Sequence, residues 1–193
     1  MLQIMNAALV SQGLDAAVSE TDSNPEFTLL VRNWPIIVEA ELQDGLYSFT
    51  KQEANLQTRT DGLFGFPDAY ALPADCLHVR HVWSEDADGI RDLDMHWVED
   101  GSRVHVDKAD GVMIEYLNSA ATTDWLPRFV KGIQLRLESV IRRSVWEEAS
   151  EARMLDQMAD AEFDRARVIS SKSRSAREPF RDSRFSKARF LRG

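Results

Sequence analysis

Cysteine is nearly missing from this sequence. Cys76 is the only one, so no intramolecular disulfide can form, and the chain reads as a protein of a reducing compartment. Long apolar runs are missing too, and none approaches the ~18 residues that a membrane-crossing helix needs. The opening Met1-Leu2-Gln3-Ile4-Met5 has neither a basic n-region nor an apolar h-region, which predicts no secretory leader. Catalytic signatures are equally scarce: there is no Gly-x-Ser-x-Gly elbow, no P-loop and no His-Glu-x-x-His pair. The run Asp61-Gly62-Leu63-Phe64-Gly65 lacks the Lys-Ser/Thr that a phosphate loop requires.

Positive charge is also scarce over most of the length. Residues 1–126 hold 7 Lys/Arg against 22 Asp/Glu, and residues 127–164 hold 6 against 8. Residues 165–193 reverse the balance, with 10 against 2. The net charge of −9 therefore hides an acidic body joined to a basic C-terminal end.

The few chemistry-bearing residues have plain structural readings. Cys76, His78 and His81 have the composition of a metal site. On a strand, however, Cys76 and His78 share one face while His81 takes the other, and a fourth ligand is not in sight. They read as strand residues flanking a core, so no metal and no cofactor are expected. His96 and His105 would face each other across a hairpin as surface decoration. The carboxylates Glu85, Asp86, Asp88, Asp92 and Asp94 lie in hydrophilic, turn-rich stretches, where solvation keeps them poor acid–base pairs. No enzymatic activity is expected.

What is present is enough for one domain with a real core plus an appendage: 193 residues, 44% hydrophobic and 28% charged. Leu2, Met5, Leu9 and Val10 predict a helix over 2–12 that stops at Gly13. Asn24 as cap and Pro25 at the first position begin a second helix over 25–45. Pro35 should kink or split it. From Tyr47 to Asp75 the pattern loosens into a connecting segment, with Phe64, Phe66 and Tyr70 lying across the core surface.

Cys76–Trp83 and Arg91–Val98 alternate as strands, the first presenting Leu77, Val79 and His81, the second Leu93, Met95 and Trp97. Asp100-Gly101 and Asp110-Gly111 mark turns. Val112, Ile114 and Tyr116 alternate in a last strand, for a small antiparallel sheet over about 76–117. An apolar stripe from Phe129 to Phe163 then predicts a helix over 124–167. It runs unbroken or turns back near Ser144 or Ser150. The fold class is α+β and mainly α: a helical bundle with a long C-terminal helix and one small sheet in a domain over 1–169.

Residues 170–193 have no periodic apolar face and read as an extended basic arm. Phe180, Phe185 and Phe190 recur in it at a five-residue spacing. With Arg174, Arg177, Arg181, Arg184 and Arg189 they form a partner-binding segment, each phenylalanine an anchor for a pocket elsewhere. A protein surface of opposite charge is the economical partner. The alternative is a nucleic acid held through phosphates and stacking, against which the acidic body would act.

Six runs stand out in order along the chain: Asn6-Ala7-Ala8-Leu9 with Gly13, Ser23-Asn24-Pro25-Glu26, and Val31-Arg32-Asn33-Trp34-Pro35-Ile36-Ile37-Val38-Glu39. Leu46-Tyr47-Ser48-Phe49, the stretch from Phe66 through Ala71-Leu72-Pro73-Ala74-Asp75-Cys76-Leu77-His78-Val79, and Asp124-Trp125-Leu126-Pro127-Arg128-Phe129-Val130 follow them. Together these runs, over roughly residues 4–167, resemble the tail tubular protein A family, the head-to-tail adaptors of short-tailed phages. The resemblance implies a mainly helical fold with a small antiparallel sheet and a structural, non-enzymatic role. It implies a homo-oligomeric ring, of about twelve copies, between a portal protein and a tail nozzle protein. It further implies a virion location after assembly in the host cytoplasm, with passing contact to genome DNA possible and no membrane.

Overall fold

The computed structural model describes residues 1–85, 91–107 and 111–172. Its elements run α1 (Leu2–Ser11), α2 (Pro25–Gly45), β1 (Lys51–Asn55), β2 (Arg59–Asp61), β3 (Asp68–Ala71), β4 (Cys76–Glu85), β5 (Arg91–Asp92), β6 (Trp97–Glu99), β7 (Arg103–Val106), β8 (Val112–Asn118), α3 (Pro127–Ser144) and α4 (Ala149–Lys172). The strands form two four-stranded antiparallel sheets, in the orders β1-β8-β4-β5 and β2-β3-β7-β6. This is a mixed architecture of helices and two sheets. It corrects the expected mainly helical bundle with one small sheet over 76–117.

The extra strands come from the segment expected to be a connection. β1 reads Lys-Gln-Glu-Ala-Asn and β2 reads Arg-Thr-Asp. Neither alternates apolar and polar, because each lies at a sheet edge with little to bury. Backbone pairing holds them: Lys51 stands opposite Leu117 on β8, and Arg59 opposite Tyr70 on β3.

The end of α1 and the start of α2 follow their sequence signals closely, whereas α3 begins at Pro127 and not at 124, because Thr122–Asp124 forms a separate 3-10 turn and Leu126, without a side-chain cap, precedes the helix. Leu14 N–H donates to the Leu9 carbonyl and Gly13 N–H to that of Val10, both at 3.0 Å, with Gly13 at φ +76°. That is the double bond of a Schellman stop. Asn24 Oδ1 accepts from Glu26 N and Phe27 N at 2.9 and 3.2 Å, with Pro25 in the first turn. α2 continues through Pro35 without splitting and ends at Gly45, with Leu46 in the left-handed region at φ +49°.

The apolar stripe after Pro127 turns back after Ser144, and Glu147 takes a positive φ of 54° at the corner. α3 and α4 therefore form an antiparallel hairpin, not one long rod. The hairpin buries Phe163 of α4 against Phe129 and Gly132 of α3, a contact an unbroken helix could not make. Arg142 braces the corner through Glu148 and Glu151, and Arg136 bridges to Asp156 and Asp160.

The described residues form two cores. The helical one gathers Met5, Leu9, Phe27, Leu30, Tyr47, Trp125, Phe129, Ile133 and Phe163. The other lies among the strands, around Tyr70, Val79, Val82, Val104, Val106, Val112 and Ile114. β4 departs from simple alternation. Its pairing with β8 shifts between Cys76 and His78 and again between Val79 and His81. The extra residue of a bulge changes the face, so Val79 and Val82 are buried while His81 is exposed. The 91–98 stretch is two strands on different sheets. Asp92 Oδ1 accepts from Asp94 N at 3.1 Å, a side-chain turn that breaks the run and leaves Leu93 exposed.

Candidate docking surfaces

The expected partner-binding residues Arg174, Arg177, Phe180, Arg181, Arg184, Phe185, Arg189 and Phe190 all lie outside the described residues. What is described is the helix end that precedes them in the chain. α4 runs through Lys172, so residues 170–172 are helix and not extended arm. Ser170 is buried, and its Oγ accepts from Ser48 N at 2.6 Å and donates to Ser48 Oγ at 3.0 Å. Gly45, Leu46, Ser48, Arg167, Ser170 and Ser171 line a cleft of about 230 Å3 there. Beneath it, burial pushes the Tyr47 hydroxyl up to about 12 and raises Glu41 against the pull of Arg136 and Arg167. The helix end that precedes the basic segment is thus held at a fixed point on the body.

The most distinctive surface is the loop between β2 and β3. Val104 and Val106 of β7 face the strand core, so His105 between them faces the other way. Pairing aligns Thr60, Ala69, His105 and Val98 in one row across four strands. The 62–66 loop folds back over this row. Leu63 N–H donates to His105 Nδ1 at 3.0 Å, which leaves Nε2 as the protonated nitrogen, 3.0 Å from Asp100 Oδ2. His105 is 0% exposed in consequence. Phe64 sets its ring edge-on to His105 at 5.1 Å, yet stays 68% exposed, beside Leu63 at 56%. Val98 opposite is 39% exposed. Phe64 also holds a positive φ of 57°, an unusual conformation for a bulky side chain.

These findings correct three expectations. His105 is an internal strut of the loop and not surface decoration, and it stands opposite Val98, not His96. Phe64 does not lie across a core. Tyr70 is buried in the strand core, and Phe66 is half-buried. The exposed pair was legible only as two apolar residues between Gly62 and Gly65.

Asp100 is held well below the usual carboxylate range, first by His105 and then by the backbone N–H groups of Ser102 and Arg103. Because its folded value lies below the unfolded one, its stabilisation is complete above about pH 4 and is lost as pH falls below that. Thermal melts from pH 6 down to pH 2 should therefore fall more steeply for the natural chain than for Asp100→Asn. Parallel acid limbs would show that the His105 contact does not stabilise the fold through this carboxylate.

His78 Nδ1 lies 3.3 Å from Glu99 Oε2, which also accepts from Val79 N at 3.1 Å. Cys76 sits half-buried at the head of β4, and burial, reinforced by Glu99, pushes its thiol up to about 11. Among the described residues, no three His, Cys, Asp or Glu side chains are grouped to hold a metal. Only the thiolate attacks alkylating reagents. Iodoacetamide at pH 8 should modify Cys76 about a hundred-fold more slowly than a free thiol, with the ordinary rate restored in urea. Equal rates with and without urea would refute the burial effect.

A further apolar surface runs along α4, where Met154, Met158, Val168 and Ile169 are exposed. Arg165 and Lys172 share that face, four and seven residues along the helical repeat. No described helix is long and apolar enough to cross a membrane. Comparison with models of known protein families gave no match, and neither did comparison with curated proteins.

Proposed function

We propose that this chain is a structural subunit that works by docking onto other proteins, as a head-to-tail adaptor of a short-tailed phage. In this role a ring of copies sits between portal and tail nozzle. One observation carries the docking part: apolar side chains, Phe64 and Leu63 foremost, are held out to solvent on a braced loop. Rigid exposed anchors lose little entropy on binding, which suits an interface. The likeness of the sequence runs given above supports the phage assignment, although the fold it implied needed the correction already described.

The root of the arm supports a joining role as well. Because Ser170 is pinned to Ser48, the basic segment begins at a defined place on the body. A truncation that leaves the body intact should fall after Lys172. The deciding experiment is the copy number of this chain in purified particles, by quantitative mass spectrometry against the major capsid protein. About twelve copies per particle is the expected value for one closed ring. Absence from particles would overturn the adaptor reading and bring forward the nucleic-acid reading of the basic arm, whose binding would fall steeply with salt.

A further inference from the structure

The arm needs a receptor, and the outer face of the β2-β3-β7-β6 sheet has the matching chemistry. Leu63, Phe64 and Val98 form its apolar centre. Asp100 borders that centre through His105, and Asp107, two residues after His105 and so on the same face, is exposed; Arg103, two residues before His105, is an exposed cation on that face, outnumbered by the two acids. The arm carries the converse pattern, in which Phe180, Phe185 and Phe190 each stand beside an arginine, Arg181, Arg184 or Arg189. Aromatic anchors flanked by guanidinium groups suit an apolar patch rimmed by carboxylates. The exposed stripe on α4 is the weaker receptor, because Arg165 and Lys172 on it would repel the arm.

We infer that the Leu63/Phe64/Val98 face binds residues 173–193 of a second copy of this chain. Reach permits it. Twenty-one residues follow Lys172, and extended they span about 70 Å, against roughly 40 Å across a body of this size. A contact of one surface with a different surface of the next copy is the heterologous kind that builds rings. The choice of a second copy over the same copy rests on the ring proposed above.

Phe64 makes the inference testable without harming the fold. At φ +57°, glycine is better suited than phenylalanine, so Phe64→Gly should melt no lower than the natural chain while losing the anchor. A fluorescent peptide of residues 173–193 should bind the full-length protein, and at least ten-fold more weakly after Phe64→Gly. A second change, Val98→Thr, keeps a β-branched strand residue and should also weaken binding, by several-fold. Equal affinity of the peptide for all three proteins, or no binding to the natural chain, would overturn the assignment of this face.

To separate a second copy from the same copy, full-length chains carrying photoreactive benzoylphenylalanine in place of Phe185 are mixed with isotope-labelled natural chains and irradiated. Cross-links from the photoreactive arm to labelled residues 59–70 or 97–107 are the expected result. Links confined to the same, unlabelled chain would overturn the second-copy assignment. Particle copy number is read independently. Cross-links between copies without incorporation into particles would leave the arm contact standing and remove the adaptor reading alone.

Discussion

Phe163→Ala will lower stability by about 3–5 kcal/mol, the usual cost of removing a large aromatic from a close-packed site. The ring is 1% exposed and stands 5.5 Å from that of Phe129. Beside Phe129 on the same helix is Gly132, where an added Cβ would fall 2.5 Å from the ring. Glycine here is the notch that lets α3 and α4 approach. The cavity left by alanine would be walled by a glycine, which has no side chain to lean in. The pair should therefore be coupled. Gly132→Ala alone should destabilise by about 1–3 kcal/mol through overpacking. In the Phe163→Ala background the same change should stabilise by about 1 kcal/mol, since the clash is gone and alanine favours helix. Urea titrations of the four proteins give the coupling energy. A Gly132→Ala effect of the same sign in both backgrounds would show that the notch does not set the packing.

Gly62→Ala is expected to cost about 2–4 kcal/mol, from overpacking together with a buried acceptor left unpaired. A Cβ at Gly62 would fall 2.2 Å from the Phe66 carbonyl oxygen and 2.7 Å from Asp68 N. Both are backbone atoms and cannot swing aside. The loop must open, and Leu63 N–H then leaves His105 Nδ1. The 15N shifts of the His105 ring should move as its tautomer is released, while signals from α3 and α4 stay in place. Unmoved His105 shifts together with an unchanged melt would refute this account of the loop.

How far the sequence could be read depended on whether local chemistry or long-range pairing decided the structure. The start of α2 was legible at Asn24-Pro25, and the end of α1 at Gly13, because caps and stops are local. The Asp100-Gly101 turn was legible for the same reason, and Asp100 Oδ1 accepts there from Ser102 N and Arg103 N. β1 and β2 were not legible. Their residues carry no alternation, and only the strands they meet make them strands. The bulges in β4 misplaced His81, since one extra residue inverts every assignment beyond it.

The docking face was hidden for a related reason. His105 looked like a surface residue because its cover, Leu63 and Phe64, comes from a loop forty residues earlier in the chain, with |i−j| of 42 for the Leu63–His105 bond. Nothing in the local pattern announces such a meeting. The eight arm residues stand out by composition alone, and they lie outside the described residues.

The position of β1 and β8 bears on the order in which the chain assembles. The eight described strands intervene between α2 and α3, and the first and last of them are partners, Lys51 opposite Leu117. Until that pair zips, docking α3 on the earlier helices must close a loop as long as the whole intervening segment. Once it has zipped, the two points where the chain leaves and re-enters the helical layer are already side by side. Kinetically, the strands act as a clasp. Slow non-local pairing of β1 with β8 should limit the rate, and the helices should follow quickly.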